Sequence, residues 1–416
     1  MRRAWQRVVV AVAGLVLVAC SSGTQPAAQP KVTISFEDQF GDAESAKFAQ
    51  LVSQFEAQNP NITINVIRDN ASSYYDKLVT SILGGSAPDI ARVEPPKAAQ
   101  YIASGYAAPV DAYIPSSERN QFFPGTVEPL VKNGKLYGVP QDVATLVLYY
   151  RTDMFQSAGI SSPPATWDDL LSDAQKLTKA PSQYGLGLFG GWGAFEFYPW
   201  FWQAGGEMLQ QQGGKTAPAF NSPQGVKALQ FWSDLENKYK VMPPGAATLT
   251  EDDYKGPFIA GKLAMFTSGP WIVGTLKQAG IDGKWTAAPL PRDAQQASVL
   301  GGMDLIVLNQ SQHKTEAGKF LTWLMQDSVQ SDWASSLKFV PIKQSMYSSP
   351  QFSGDPLNAV FLASLKVSRS RPTIAKAGDI DNYFGQAVQA ALSGAASPQS
   401  ALDTAAQKSQ QALAQQ

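Results

Sequence analysis

Histidine and cysteine are almost missing from this sequence: its 416 residues include one of each, His313 and Cys20. A Ser-His-Asp triad needs a positioned imidazole. His313 lies in a polar stretch, Asn309 to Thr315, that reads as an exposed turn ahead of a helix. A Cys-His pair and a His-rich zinc site fall with it, so most hydrolase designs and any such metal centre are excluded. One cysteine cannot form a disulfide within the chain, so stability has to come from core burial. Neither sign of charge is in excess, with 33 Lys and Arg against 34 Asp and Glu. Loss of Arg2, Arg3 and Arg7 with a cleaved leader would leave a slightly acidic chain, which argues against nucleic acid or anionic lipid as a partner. Beyond the N-terminus no apolar run is long enough to cross a membrane.

What is present begins with Val8 to Ala19, an uncharged apolar run behind those three arginines. It is too short to span a bilayer and reads as the hydrophobic region of a signal peptide. It ends in Leu17-Val18-Ala19-Cys20, the pattern of a bacterial lipobox. Cleavage before Cys20 would expose a thiol that takes a diacylglycerol thioether. An ordinary secretory leader with an incidental cysteine is the alternative, but a lone cysteine in an exported chain is accounted for by lipidation. Residues 1–19 are therefore expected to be a lipoprotein signal peptide, and 20–31 a lipidated cysteine with a flexible tether. The SSGTQPAAQP stretch is too polar and small to build a core. This places the protein on the outer face of the bacterial cell membrane, or in the periplasm.

The body is globular by composition, with 44% hydrophobic and 11% aromatic residues. Val32 to Glu37 reads as a strand. A helix follows from about Ala43 to Asn59, because Phe48, Leu51, Val52 and Phe55 recur at helical spacing. Ile62 to Ile67 alternates as a strand, Tyr74 to Leu83 is helical, Ile90 to Val93 is a short strand, and Pro95 to Ser104 is helical again. This β-α-β alternation predicts a parallel sheet covered by helices. Thr145 to Arg151 reads as an aromatic-rich strand, and Thr166 to Asp169 as a capping box for a helix to about Lys179. Later helices are expected at Ser222 to Lys238, Thr315 to Gln326, Gln386 to Leu392 and Pro398 to Gln416. No repeat and no second linker interrupt the body, so it reads as one unit whose chain crosses between lobes.

Two nucleotide-like strings carry little. Gly213-Gly214-Lys215-Thr216 resembles the end of a phosphate-binding loop, but its first glycine would fall on Leu209 and no strand is predicted before it. Gly185 to Gly190 satisfies G-x-G-x-x-G, a weak signal alone; a strand with a glycine-rich exit explains it better. No cofactor is expected. Paired carboxylates, the requirement of a glycosidase, remain open.

The order of several segments is familiar. Gly84-Gly85-Ser86-Ala87-Pro88-Asp89-Ile90 comes first, then Gly105 to Val110, then Leu136 to Pro140 with Leu148 to Arg151. Pro164 to Leu170, Gly261 to Met265, Ser268 to Trp271, Gly301-Gly302 and Arg371-Pro372 follow. Over nearly all of 32–410 the chain resembles the extracellular solute-binding proteins (family 1) of carbohydrate ABC importers, which include maltose- and trehalose-binding proteins. The resemblance implies an α/β, two-lobed periplasmic-binding-protein fold (type II, Venus flytrap) with hinge crossover strands near Asp142 to Thr145 and Leu300 to Leu305. The lobes would be 32–142 plus 304–345 and 143–303 plus 346–416, with the C-terminal helices packed mainly on the second. It implies a sugar ligand, permease subunits as partners, a monomer, and binding without catalysis.

Sugar recognition needs carboxylates for hydroxyl groups and a flat indole for the C–H face. The resemblance places ligand-binding acids at Asp42, Glu94 and Asp142. Asp42 could equally be a helix N-cap, and Glu94 a solvated loop acid. Trp271, behind Gly269-Pro270, matches a stacking tryptophan; a buried core tryptophan is the alternative. Gly302 and Met303 would offer backbone N–H groups and close approach, although a glycine there can serve the turn alone. Arg371 matches an arginine aimed at sugar hydroxyls, and could instead brace the lobes through an ion pair. Trp192 and Phe195 lie in a loop that supplies further aromatics, and sequence does not decide which of them faces the cleft. Val93 stands where several maltose-type relatives have tryptophan. The acid-plus-arginine pattern is more similar to the trehalose or α-disaccharide branch. A cationic solute such as a polyamine, and a lipid-anchored glycoside hydrolase, are the competing readings.

Overall fold

The computed structural model describes residues 30–69, 73–123 and 125–415. The expectations for the leader, Cys20 and most of the tether fall on residues 1–29, outside the described residues.

Ten strands form the two main sheets: β1 (Val32–Asp38), β2 (Ile62–Arg68), β3 (Ile90–Val93), β4 (Gly138–Thr145), β5 (Val147–Arg151), β6 (Tyr184–Gly187), β7 (Leu263–Ser268), β8 (Trp285–Ala288), β9 (Ser298–Val307) and β10 (Ser368–Ser370). The first sheet runs β10-β9-β3-β1-β2, with β4 also paired to β9; the second runs β8-β5-β7-β6. The β1–β2 and β1–β3 pairs are parallel, as β-α-β connections demand. The wholly parallel expectation is corrected at β9, which runs antiparallel to both β3 and β4. A strand returning from another sheet is not bound by the crossover that makes its neighbours parallel.

Local signals set most elements. Phe48, Leu51, Val52 and Phe55 are the buried face of the helix Asp42–Gln58. Its cap is Gly41, whose amide donates to the Glu44 carboxylate at 2.9 Å, so Asp42 is the first helical residue and not the N-cap. The helix Tyr74–Leu83 and the strand Ile90–Val93 have the expected ends. The stretch read as one strand from Thr145 to Arg151 is broken at Leu146, where the chain leaves the first sheet for the second. The helix expected from Gln386 starts at Ala377, and the helix Asp327–Leu337 was not foreseen. The Gly213-Gly214 string is the turn of a hairpin, Leu209–Gln212 with Lys215–Pro218, so a strand does precede it. Both glycines have positive φ, as such two-residue turns favour.

Each lobe has its own aromatic packing. In the first, Phe36, Phe40 and Phe48 cluster against Trp333 and Phe320. In the second, Phe384 of the helix Ala377–Leu392 meets Phe197, Tyr198, Phe201 and Phe220. That helix and Pro398–Leu413 thereby pack on the second lobe. The lobes also touch: the start of Ala377–Leu392 abuts the helix Pro95–Ala103, where a Cβ on Gly378 would lie 2.3 Å from the Gln100 side-chain oxygen. No helix among the described residues is long and apolar enough to cross a membrane.

Candidate ligand-binding site

The two segments expected as hinge crossings pair with one another: Thr145 with Leu300, Ala144 with Gly301, Val143 with Gly302, and Asp142 with Met303. On the other edge of β9, β10 pairs only up to Leu300 and β3 only from Asp304 onward. A gap in the sheet is left beside Gly301, Gly302 and Met303. Glu94, just past β3, and Arg371, just past β10, flank this gap and form an ion pair at 2.7 Å.

Gly302 has φ +122°, and a Cβ there would strike the Asp142 carbonyl oxygen at 2.2 Å. Close strand approach therefore requires glycine. The Met303 amide donates to Asp142 Oδ1 at 3.0 Å, so it is committed within the protein. The other Asp142 oxygen pairs with Arg92 at 2.9 Å, and Arg92 also reaches Gln141 at 2.7 Å and Glu44 at 3.0 Å. Burial pushes the Asp142 carboxyl up, and Arg92 opposes this. Asp142 is thus a buried, paired acid that ties β3, β4 and β9 together.

Arg371 is buried beneath Glu94. It also reaches Asp381 at 3.4 Å, and its guanidinium lies over the Phe195 ring at 5.1 Å. Asp381 in turn accepts from the Tyr198 hydroxyl at 2.8 Å. The ion-pair reading of Arg371 is the arrangement observed.

Trp271 follows Gly269-Pro270 on a short turn after β7 and is half-buried. Its ring centroid is 6.4 Å from both Trp192 and Phe195. Its Nε1 donates to Glu251 at 2.6 Å, and Glu251 also accepts from Ser268 at 2.5 Å. Burial raises the Glu251 carboxyl while these two bonds lower it. Phe195 is wedged against Gly301, where a Cβ would come within 2.9 Å of its ring. Trp192 is the more open of the two, at 44% exposure.

The structure therefore brings Glu94, Asp142, Trp192, Phe195, Trp271, Gly302, Met303 and Arg371 into one connected group. It leaves Asp42 outside: that side chain is 97% exposed and pairs with Arg68 at 2.8 Å. Glu44, two residues on, turns inward to Arg92 instead. Val93 is fully buried in β3 and supplies no aromatic platform; the Tyr75 hydroxyl accepts from the neighbouring Glu94 amide at 3.1 Å. Sequence reading missed Arg92, Glu251, Asp304 and Asp381. Asp304 carried one signal: an acid at the head of the apolar run Leu305-Ile306-Val307-Leu308.

Residues 50–360 match the family described as bacterial extracellular solute-binding protein. The chain belongs to that family. Among its relatives, the arabinooligosaccharide-binding protein of Bacillus subtilis is 25% identical over 350 residues, covering 81% of this chain and 79% of the relative. An ABC transporter solute-binding protein of Thermotoga lettingae, solved with α-D-tagatose, superposes with a TM-score of 0.85 at 28% identity, covering 92% of this chain and 99% of the other. Maltose-bound MalE3 of T. maritima superposes at 0.84 with 26% identity, covering 91% and 98%. The two-lobed solute-binding fold expected from the motif order is thus the fold observed, and these relatives are binding proteins rather than enzymes.

Proposed function

We propose that this protein is the sugar-binding component of an ABC importer, taking a neutral mono- or oligosaccharide between its lobes and delivering it to permease subunits. A disaccharide such as trehalose or maltose is the foremost candidate. The observation that carries this reading is the aromatic wall of Trp192, Trp271 and Phe195 standing beside the Arg371–Glu94 pair. Such a wall suits the C–H face of a pyranose, and the charged pair suits its hydroxyl rim. A neutral ligand is favoured over a polyamine because Glu94, Asp381, Asp142 and Glu44 are each already paired with an arginine. The sugars bound by the tagatose-, maltose- and arabinooligosaccharide-binding relatives support the same class.

In this reading the lobes are 32–142 plus 304–345 and 143–303 plus 346–416, and the solute-loaded form is the shut one that a permease recognises. A lipid on Cys20 would hold a monomer near its transporter at the outer membrane face and raise its effective concentration there. Calorimetry against a panel of mono- and disaccharides tests the central claim; silence across the panel, with heat from spermidine or putrescine, overturns it.

A further inference from the structure

Two buried polar atoms beside the sheet gap have no partner among the described residues: Oδ2 of Asp304 and Nε of Arg371. Asp304 is 2% exposed and Arg371 5%. Both line a narrow crevice with Asp142, Gly301, Gly302 and Ser370. Packing does not call for an acid at this position. Asp304 opens the buried run of β9 and lies opposite Val93, where an apolar side chain would fill the space without a desolvation penalty. Burial and the neighbouring Asp142 both push the Asp304 carboxyl upward, while Arg371 acts against them from nearby. Yet Arg371 gives its ion pairs to Glu94 and Asp381, and among the described residues none reaches Asp304. The Asp304 carboxyl and the Arg371 guanidinium thus line one crevice, each with a polar atom that the other does not satisfy.

We propose that Asp304 and the Nε of Arg371 together hold one hydroxyl of the bound solute, which makes Asp304 a ligand-selecting residue at the base of the cleft. The proposal rests on the sugar-binding reading and adds a residue and a chemical test to it. A hydroxyl gives and accepts hydrogen bonds at once. It accepts from the Arg371 Nε–H and bonds the Asp304 carboxyl with its own hydrogen. An ether oxygen only accepts and an ammonium only donates, so either would leave one of the two atoms unmet. The walls are close: a Cβ on Gly125 would meet Leu300 at 2.9 Å and the Ser370 hydroxyl at 3.3 Å. Only a small group enters, so the site receives the hydroxyl edge of one ring and any second ring extends toward the aromatic wall.

Calorimetry on the whole protein with the sugar it binds tightest from the mono- and disaccharide panel decides the matter. Asp304→Ala is expected to weaken that sugar about 10–100-fold, as for loss of a buried charge-assisted or multiply bonded contact. One monodeoxy analogue of the same sugar should show the same loss in the wild type and no further loss in Asp304→Ala, the signature of a shared contact. Ligand-free Asp304→Asn should melt at or above the wild-type temperature, because a buried acid without a partner is a liability when no solute is present. A bound sugar whose affinity is unchanged in Asp304→Ala overturns this inference and leaves the sugar-binding reading standing. So does a ligand-free Asp304→Asn that melts well below wild type, since the acid would then be a structural brace. A wild-type protein that binds no sugar overturns both, and needs no variant to show it.

Discussion

Arg371 Nη2 lies 2.7 Å from Glu94 Oε2, so the segment leaving β10 is fastened to the segment leaving β3 beside the crossover. The arginine is buried and the Glu94 side chain is 38% exposed. Arg371→Ala would leave Glu94 and Asp381 without the arginine between them, with only the more distant Lys97 to offset Asp381. Urea unfolding should show a loss of about 2–3 kcal/mol, less than for a fully buried pair because water reaches Glu94. Glu94→Gln, which keeps a hydrogen-bonding group, should cost less.

Arg92 poses a harder test. Its guanidinium and the Asp142 carboxylate are both buried, and the same arginine reaches Glu44 and Gln141. Arg92→Met should destabilise by about 3–5 kcal/mol, since it strands a buried acid. The double variant with Asp142→Asn should recover part of that loss, and a double-mutant cycle in denaturant measures how much.

Asp38 predicts a pH dependence. It is buried at the end of β1, with Oδ1 accepting from the Phe40 amide at 2.7 Å and Oδ2 without a partner among the described residues. Burial pushes its carboxyl from 3.8 up to about 6. Between those values the native state holds a proton that the unfolded chain has released. Its contribution therefore falls as pH rises from about 4 to about 6 and is flat above. Asp38→Asn should remove that slope and raise stability at neutral pH by about 1–3 kcal/mol. Denaturant midpoints measured across that range check both the slope and its sign.

Trp271 is held edge-on by Glu251 at 2.6 Å. Trp271→Ala should reduce the affinity for a bound sugar by about 10–100-fold, the loss of one large stacking surface. Glu251→Gln should keep the ring but loosen it, giving a smaller loss and an altered tryptophan emission. Equal affinity in Trp271→Ala would show that the ring does not face the ligand.

The helix Tyr74–Leu83 and the strand Ile90–Val93 were legible to the residue, because their stops, Gly84-Gly85 and Pro95, are local chemistry. The helix Asp327–Leu337 was not. Its buried residues, Val329, Trp333, Ala334 and Leu337, do recur at helical spacing, but serine and aspartate between them are weak helix formers and Gln326 at its start makes no side-chain cap, so no local signal marks where it begins. The same limit divides the acids. Asp42 and Glu44 sit two residues apart on one helix, and only the helix's rotation against β3 sends the first to solvent and the second to Arg92. Nothing local to Asp304 shows that it lies inside; its burial opposite Val93 comes only from the pairing of β9 with β3.

Composition and local spacing by themselves determined which chemistries are missing, where most helices and strands run, and the order of segments by which the chain resembles its family. These depend on neighbours a few positions away. Tertiary structure alone decided which charges meet: Arg371 and Glu94 are 277 positions apart, and Asp142 and Met303 are 161 apart. Apolar periodicity is written along a single element, whereas the partner of a buried charge depends on where separate strands happen to end, and that is settled only when the sheets pack.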